Sequence, residues 1–193
     1  MSEVKDGALE HLKPLEAEGY VLADARFDRL NGWTYLGMLL HEARQSIDLS
    51  AKCNAMATLD TMEQVLLSQA LFRNVIIGYG KCYASAAAGK VMLDRNSVFK
   101  GQDALKAKHD RMIFIRNSFA AHNGENDVDT ATMAVKEDSE EILIRHTYTL
   151  GTPLNEYDDY RQVLDHVQEY VILAMNKYLD RLEKDLGKRI RMG

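Results

Sequence analysis

Proline stands at positions 14 and 153 and nowhere else in the 193 residues, so nothing between them forces a helix to break. Over that stretch apolar residues recur at spacings of three and four, the period of a helix with one buried face. From Phe27 to about Leu49 the repeat runs through Leu30, Trp33, Leu36, Met38, Leu39, Leu40, Ala43 and Ile47. A second helix is expected from Leu59 to about Ala88, its core face holding Met62, Leu66, Ala70, Phe72, Val75, Ile76 and Tyr79, with residues 50–58 as the connection. Gly78 and Gly80 lie inside that pattern. Each costs a helix about 1 kcal/mol relative to Ala, which points to the close approach of another backbone or to a bend.

A third helix starts at Gln102 or Asp103 and carries Leu105, Met112, Ile115 and Phe119 on one stripe, with Gly124 placed to end it. Residues 130–135 and 142–149 then alternate apolar and polar, as strands do, around the acidic turn 136–141. Ile142, Ile144, His146 and Tyr148 would share one face of this hairpin. Asn155 is placed to cap a last helix whose stripe of Tyr160, Leu164, Val167, Val171, Ala174, Tyr178, Leu182 and Leu186 ends at Gly187. The expected fold is therefore all-α: an up-down four-helix bundle in one domain over 1–193. It comprises an N-terminal arm (1–26), a helical core (27–124), an inserted β-hairpin (130–149) and a C-terminal helix (156–187).

Composition narrows the function. Hydrophobic residues at 46% and charged residues at 27% are ordinary for a globular chain. A net charge of -5 argues against a broad basic face that coats nucleic acid and leaves room for a locally positive cleft. Cys53 and Cys82 are too few for a disulfide framework or a zinc cluster, and the charged start Met1-Ser2-Glu3-Val4-Lys5-Asp6 has no apolar run behind it. A cytoplasmic setting with no membrane span is the expectation. No His, Cys or acidic cluster has metal-ligand spacing and no glycine-rich phosphate loop is visible, so neither metal nor cofactor is expected.

One residue is not asked for by packing. Arg116 directly follows Met112-Ile113-Phe114-Ile115, and a permanently charged group there calls for a use. Asn117 stands next to it and His122 follows near the helix end. Arginine holds phosphate through two parallel bonds, imidazole can give or take a proton near neutral pH, and an amide can orient either. In a regular helix Arg116 and His122 would stand about 120° apart in azimuth and about 9 Å apart along the axis, so a substrate, a second copy of the chain or a loosened last turn must bring them together. Arg161 and His166 repeat the spacing early in the last helix, with no cap after the His, and are taken as a coincidence.

Arg116, Asn117 and Ala121-His122 at the end of a core helix resemble the Arg-polar-x4-His signature of the HEPN superfamily, in the form found among abortive-infection and toxin-antitoxin proteins. The resemblance implies a metal-independent endoribonuclease of a bacterial defence or toxin-antitoxin system, active as a homodimer whose two motifs face a common cleft, held in check by a cognate antitoxin and acting on RNA. It makes Arg116, Asn117 and His122 the catalytic set. His109, nearly on the face of Arg116, and Arg73 and Asn74, polar among Leu71, Phe72, Val75 and Ile76, are candidate substrate-binding residues. Part of the superfamily cuts nothing, so the alternative is a non-catalytic helical module that binds nucleotide or a protein partner. On the bland reading, Arg116 pairs with an acid on a neighbouring helix and His122 merely bonds the last carbonyls.

Overall fold

The computed structural model describes residues 10–21, 24–54, 61–84, 91–120 and 128–192. The described chain is mostly helical, with six α-helices and one two-stranded antiparallel sheet. The N-terminal segment forms a 3-10 turn at Glu10–Leu12 and the short helix α1 (Lys13–Ala17). The long elements are α2 (Asp28–Cys53), α3 (Thr61–Lys81), α5 (Asp103–Ile115) and α6 (Tyr157–Leu186). α4 (Arg95–Val98) is one turn capped by the Asp94 carboxylate, which accepts from Ser97 N at 2.8 Å, within the expected loop 94–101.

Side-chain pairings fix how the long helices run. Ser50 sits beside Ser68 and Asn74 beside Ser46, so α2 and α3 are antiparallel. Asp48 meets Arg161 and Ser50 meets Tyr157, so α6 also opposes α2. Arg111 makes two bonds of 2.9 and 3.0 Å to the Glu156 carboxylate just ahead of α6, and Lys108 reaches Asp159 on it. These charge-assisted bonds dock α5 against α6. Between the helices lies one apolar core that includes Leu40, Ile47, Phe72, Ile76, Met112, Ile115, Tyr160 and Leu164.

Several local expectations are corrected. α2 runs through to Cys53, because Ser50 is buried and its hydroxyl is bonded to Ser68 and Tyr157 rather than to water. Met62, Leu66 and Ala70 do not face the core; α3 turns Ser68, Gln69, Phe72, Val75, Ile76 and Tyr79 inward instead. Met38 is exposed as well. Asn155 does not cap the last helix: a 3-10 turn at Leu154–Glu156 leads into it, and Glu156 holds the cap position without a side-chain bond. Gly187 ends α6 at φ 62°, in the left-handed conformation that suits glycine.

The hairpin joins β1 (Asp129–Glu137) to β2 (Ile142–Leu150). Its register pairs Ala131 with Tyr148, Met133 with His146, Val135 with Ile144 and Glu137 with Ile142. Directly paired residues share a face, so these form one apolar face, and threonines with Lys136 and Arg145 dominate the other. That apolar face is uncovered: Met133, Val135, Ile142, Ile144 and Tyr148 are all more than half exposed. Its base is fixed to α3, where Gln69 donates to Gly151 O and Arg73 pairs with Asp129 at 3.4 Å. Asp129 has the parity of the apolar face. The face therefore continues at Arg73 into the outer stripe of α3, where Met62, Leu66 and Ile77 are also exposed.

Candidate functional site

Arg116 is where the motif helix changes geometry. α5 is regular to Ile115, and Arg116–Ala120 then forms a single π-helical turn. Such turns are rare and frequently mark functional sites. Ser118 contributes by bonding back to Phe114 O at 2.9 Å, which loosens the ladder locally. Phe119 stays buried against Phe72, with ring centroids 5.9 Å apart, so the turn remains anchored to the core.

On the helical wheel Arg116 falls close to His109 and Met112, on the side that packs against α3. A long charged side chain on that side needs room, and Gly80 gives it. A Cβ at position 80 would lie 2.9 Å from Arg116 Cγ and 3.3 Å from Cδ and Nε. The arginine stem thus lies flat on the bare backbone of α3, half-buried, and its guanidinium reaches the Asn117 side chain, with Nη1 donating to Oδ1 at 2.9 Å. Other arginines are committed to carboxylates: Arg44 to Asp48 and Asp165, Arg95 to Asp110, Arg111 to Glu156, Arg161 to Asp48 and Asp158. Arg116 has an amide oxygen as its partner among the described residues, which leaves its charge uncompensated.

A hollow of about 300 Å³ opens beside it. Leu93, Ile113, Ala84 and the ring of Tyr83 form its apolar walls; His109 lies deeper, and Arg95, Arg116 and Asn117 stand at its rim. His109 is buried, with Nδ1 2.6 Å from the Tyr79 hydroxyl, and its ring packs on Tyr83 and Phe99. Burial disfavours the imidazolium and lowers its pKa to about 4, outweighing the attraction of Asp110. At neutral pH His109 is therefore uncharged. The Tyr83 hydroxyl is buried and has no hydrogen-bond partner among the described residues; burial pushes its pKa up, so it stays protonated.

Of the residues singled out from sequence, Arg116, Asn117 and His109 line this hollow. Arg73 and Asn74 are not among its lining residues. The Arg73 guanidinium lies 4.7 Å from the Phe119 ring centroid while pairing with Asp129, and Asn74 donates to Ser46 at 2.8 Å. His122 and the expected stop at Gly124 lie outside the described residues. Tyr83, Gly80 and Arg95 were not singled out as site residues; the two glycines in the α3 pattern were the one signal that something must approach closely there. A larger hollow of about 600 Å³, walled by Trp33, Tyr170 and Tyr178 between α2 and α6, holds none of the motif residues.

The arrangement can bind an anion at the guanidinium and amide and hold an apolar, planar group behind it. Among the described residues no group of three or more His, Cys, Asp or Glu side chains could hold a metal ion, and no helix is long and apolar enough to cross a membrane. No family model, no curated protein and no solved structure matches this chain.

Proposed function

We propose that this chain is a HEPN-type endoribonuclease that cuts RNA without a metal, using Arg116, Asn117 and His122. The observation that carries the reading is the uncompensated guanidinium of Arg116, laid on Gly80 and steadied by Asn117 at the rim of a hollow. A cation in that state on an acidic chain fits a phosphodiester, which it grips through two parallel bonds as charge builds on the phosphorane oxygens. The ribose 2′-hydroxyl attacks phosphorus, its proton goes to a base, and the 5′-oxygen leaves with a proton from an acid. The products are a 2′,3′-cyclic phosphate and a 5′-hydroxyl. His122 supplies imidazole for one of these transfers, and the partner copy's motif supplies the other in the homodimer the resemblance implies. A cognate antitoxin and a role in bacterial defence belong to the same reading, as does a cytoplasmic setting.

A second copy also suits the uncovered apolar surface. The hairpin face, about 30 Å long by 10 Å wide, and the outer stripe of α3, about 22 Å by 10 Å, together cover roughly 500 Å². That is well over half of the about 800 Å² per partner in a stable interface. Its central charges, Arg73 and Asp129, cancel each other, so a like copy is not repelled there. The surface borders the motif, because Arg73 stacks on Phe119. The same exposed face also favours the second reading, a non-catalytic module that binds a protein. Expression in bacteria separates the two. The ribonuclease predicts growth arrest that Arg116→Ala or His122→Ala relieves at equal protein level. Equal tolerance of wild type and both variants supports the module.

A further inference from the structure

We infer that the hollow beside Arg116 is a subsite for the nucleobase adjoining the bound phosphate, and that Tyr83 and His109 read that base through hydrogen bonds. The inference rests on the reading of Arg116 as a phosphate ligand and goes beyond it by giving the site a sequence preference.

Three observations carry it. The hollow's walls, Leu93, Ile113 and the Tyr83 ring, are apolar, while its rim carries Arg116 and Arg95; a ligand that is flat and apolar at one end and anionic at the other matches both. The Tyr83 hydroxyl is buried without a partner, a state that ordinarily costs a fold stability and is rare in native interiors. The third concerns His109. Its Nδ1 is taken by the Tyr79 hydroxyl, so the neutral ring keeps Nε2 for a ligand. With Tyr79 donating, Nε2 carries the hydrogen and donates, and Tyr83 can donate or accept. One fixed donor and one adaptable hydroxyl in an apolar pit discriminate among base edges, because a base that leaves them unpaired is rejected. A peptide side chain fits less well, since the two rim guanidiniums favour a phosphate over a neutral backbone.

The test is calorimetric titration of the full chain with the four nucleoside 5′-monophosphates and with ribose 5-phosphate. One nucleotide should bind at least tenfold tighter than the least favoured, and all four tighter than ribose 5-phosphate. Tyr83→Phe keeps the ring and removes the hydroxyl; it should compress the preference to within about threefold while leaving ribose 5-phosphate unaffected. Arg116→Ala should weaken every ligand alike. Binding of all five ligands with equal affinity, no binding, or a preference unchanged in Tyr83→Phe would overturn the subsite. Its fate is separable from that of the ribonuclease. Base-selective binding without RNA cleavage sinks the nuclease and keeps the subsite; cleavage with no discrimination among the nucleotides does the reverse.

Discussion

Arg116 and Gly80 act as a pair, and each explains the other. An arginine on the core-facing side of α5 is tolerated because α3 presents bare backbone there, and a glycine near the end of α3 is kept because the arginine stem occupies the space of a Cβ. Gly80→Ala sets two effects against each other. Helix propensity gains up to about 1 kcal/mol, while a Cβ 2.9 Å from Cγ forces the arginine to shift. The expected outcome is stability within about 1 kcal/mol of wild type in urea unfolding and RNA cleavage at least tenfold lower; full cleavage would show that the arginine's position is immaterial. His109 makes a separate prediction. Its folded pKa of about 4 lies below the unfolded value of about 6.5, so the unfolded state binds the extra proton between these pH values. Stability should be at its full value above pH 6.5 and fall by up to about 3 kcal/mol as pH drops to 4. His109→Phe should flatten that slope in denaturation midpoints measured across the window. At this scale the sequence was informative about charge and silent about partners: Arg116 and Asn74 both stood out as polar among apolar neighbours, yet Asn74 is satisfied by Ser46 across two helices while Arg116 is not. That difference depends on contacts between helices, which spacing along one helix does not contain.

Among the elements, α2 and α6 were legible because their stripes are strongly one-sided, and the hairpin because its alternation has period two. α3 was misjudged. It is apolar nearly all round, so two stripes compete for the core, and the one with Ser68 and Gln69 wins because those groups bond Ser50 and Gly151 at the hairpin base. The losing stripe, with Met62 and Leu66, is left exposed in continuity with the hairpin. The π turn at Arg116–Ala120 was foreseen only as a loosening that the motif's geometry required. A two-stranded hairpin is marginal in water by itself, so its bare apolar face implies a cover. If a second copy is that cover, wild type should run as a dimer in sedimentation equilibrium at micromolar concentration. Ile144→Asp, in the middle of the face, should shift it to monomer with unchanged helical circular dichroism. A monomeric wild type would remove this role for the hairpin.

At the scale of the molecule, a chain of net charge -5 is proposed to handle RNA through one small positive rim rather than a basic surface. Weak general affinity for nucleic acid and dependence on a single guanidinium follow from that. The most direct test is incubation of end-labelled RNA with the purified protein in excess chelator, with product ends analysed. The account predicts fragments with 2′,3′-cyclic phosphate ends from wild type and their loss, by at least a hundredfold, in Arg116→Ala and His122→Ala. Equal cleavage by all three proteins, or none by wild type at any concentration, would contradict it.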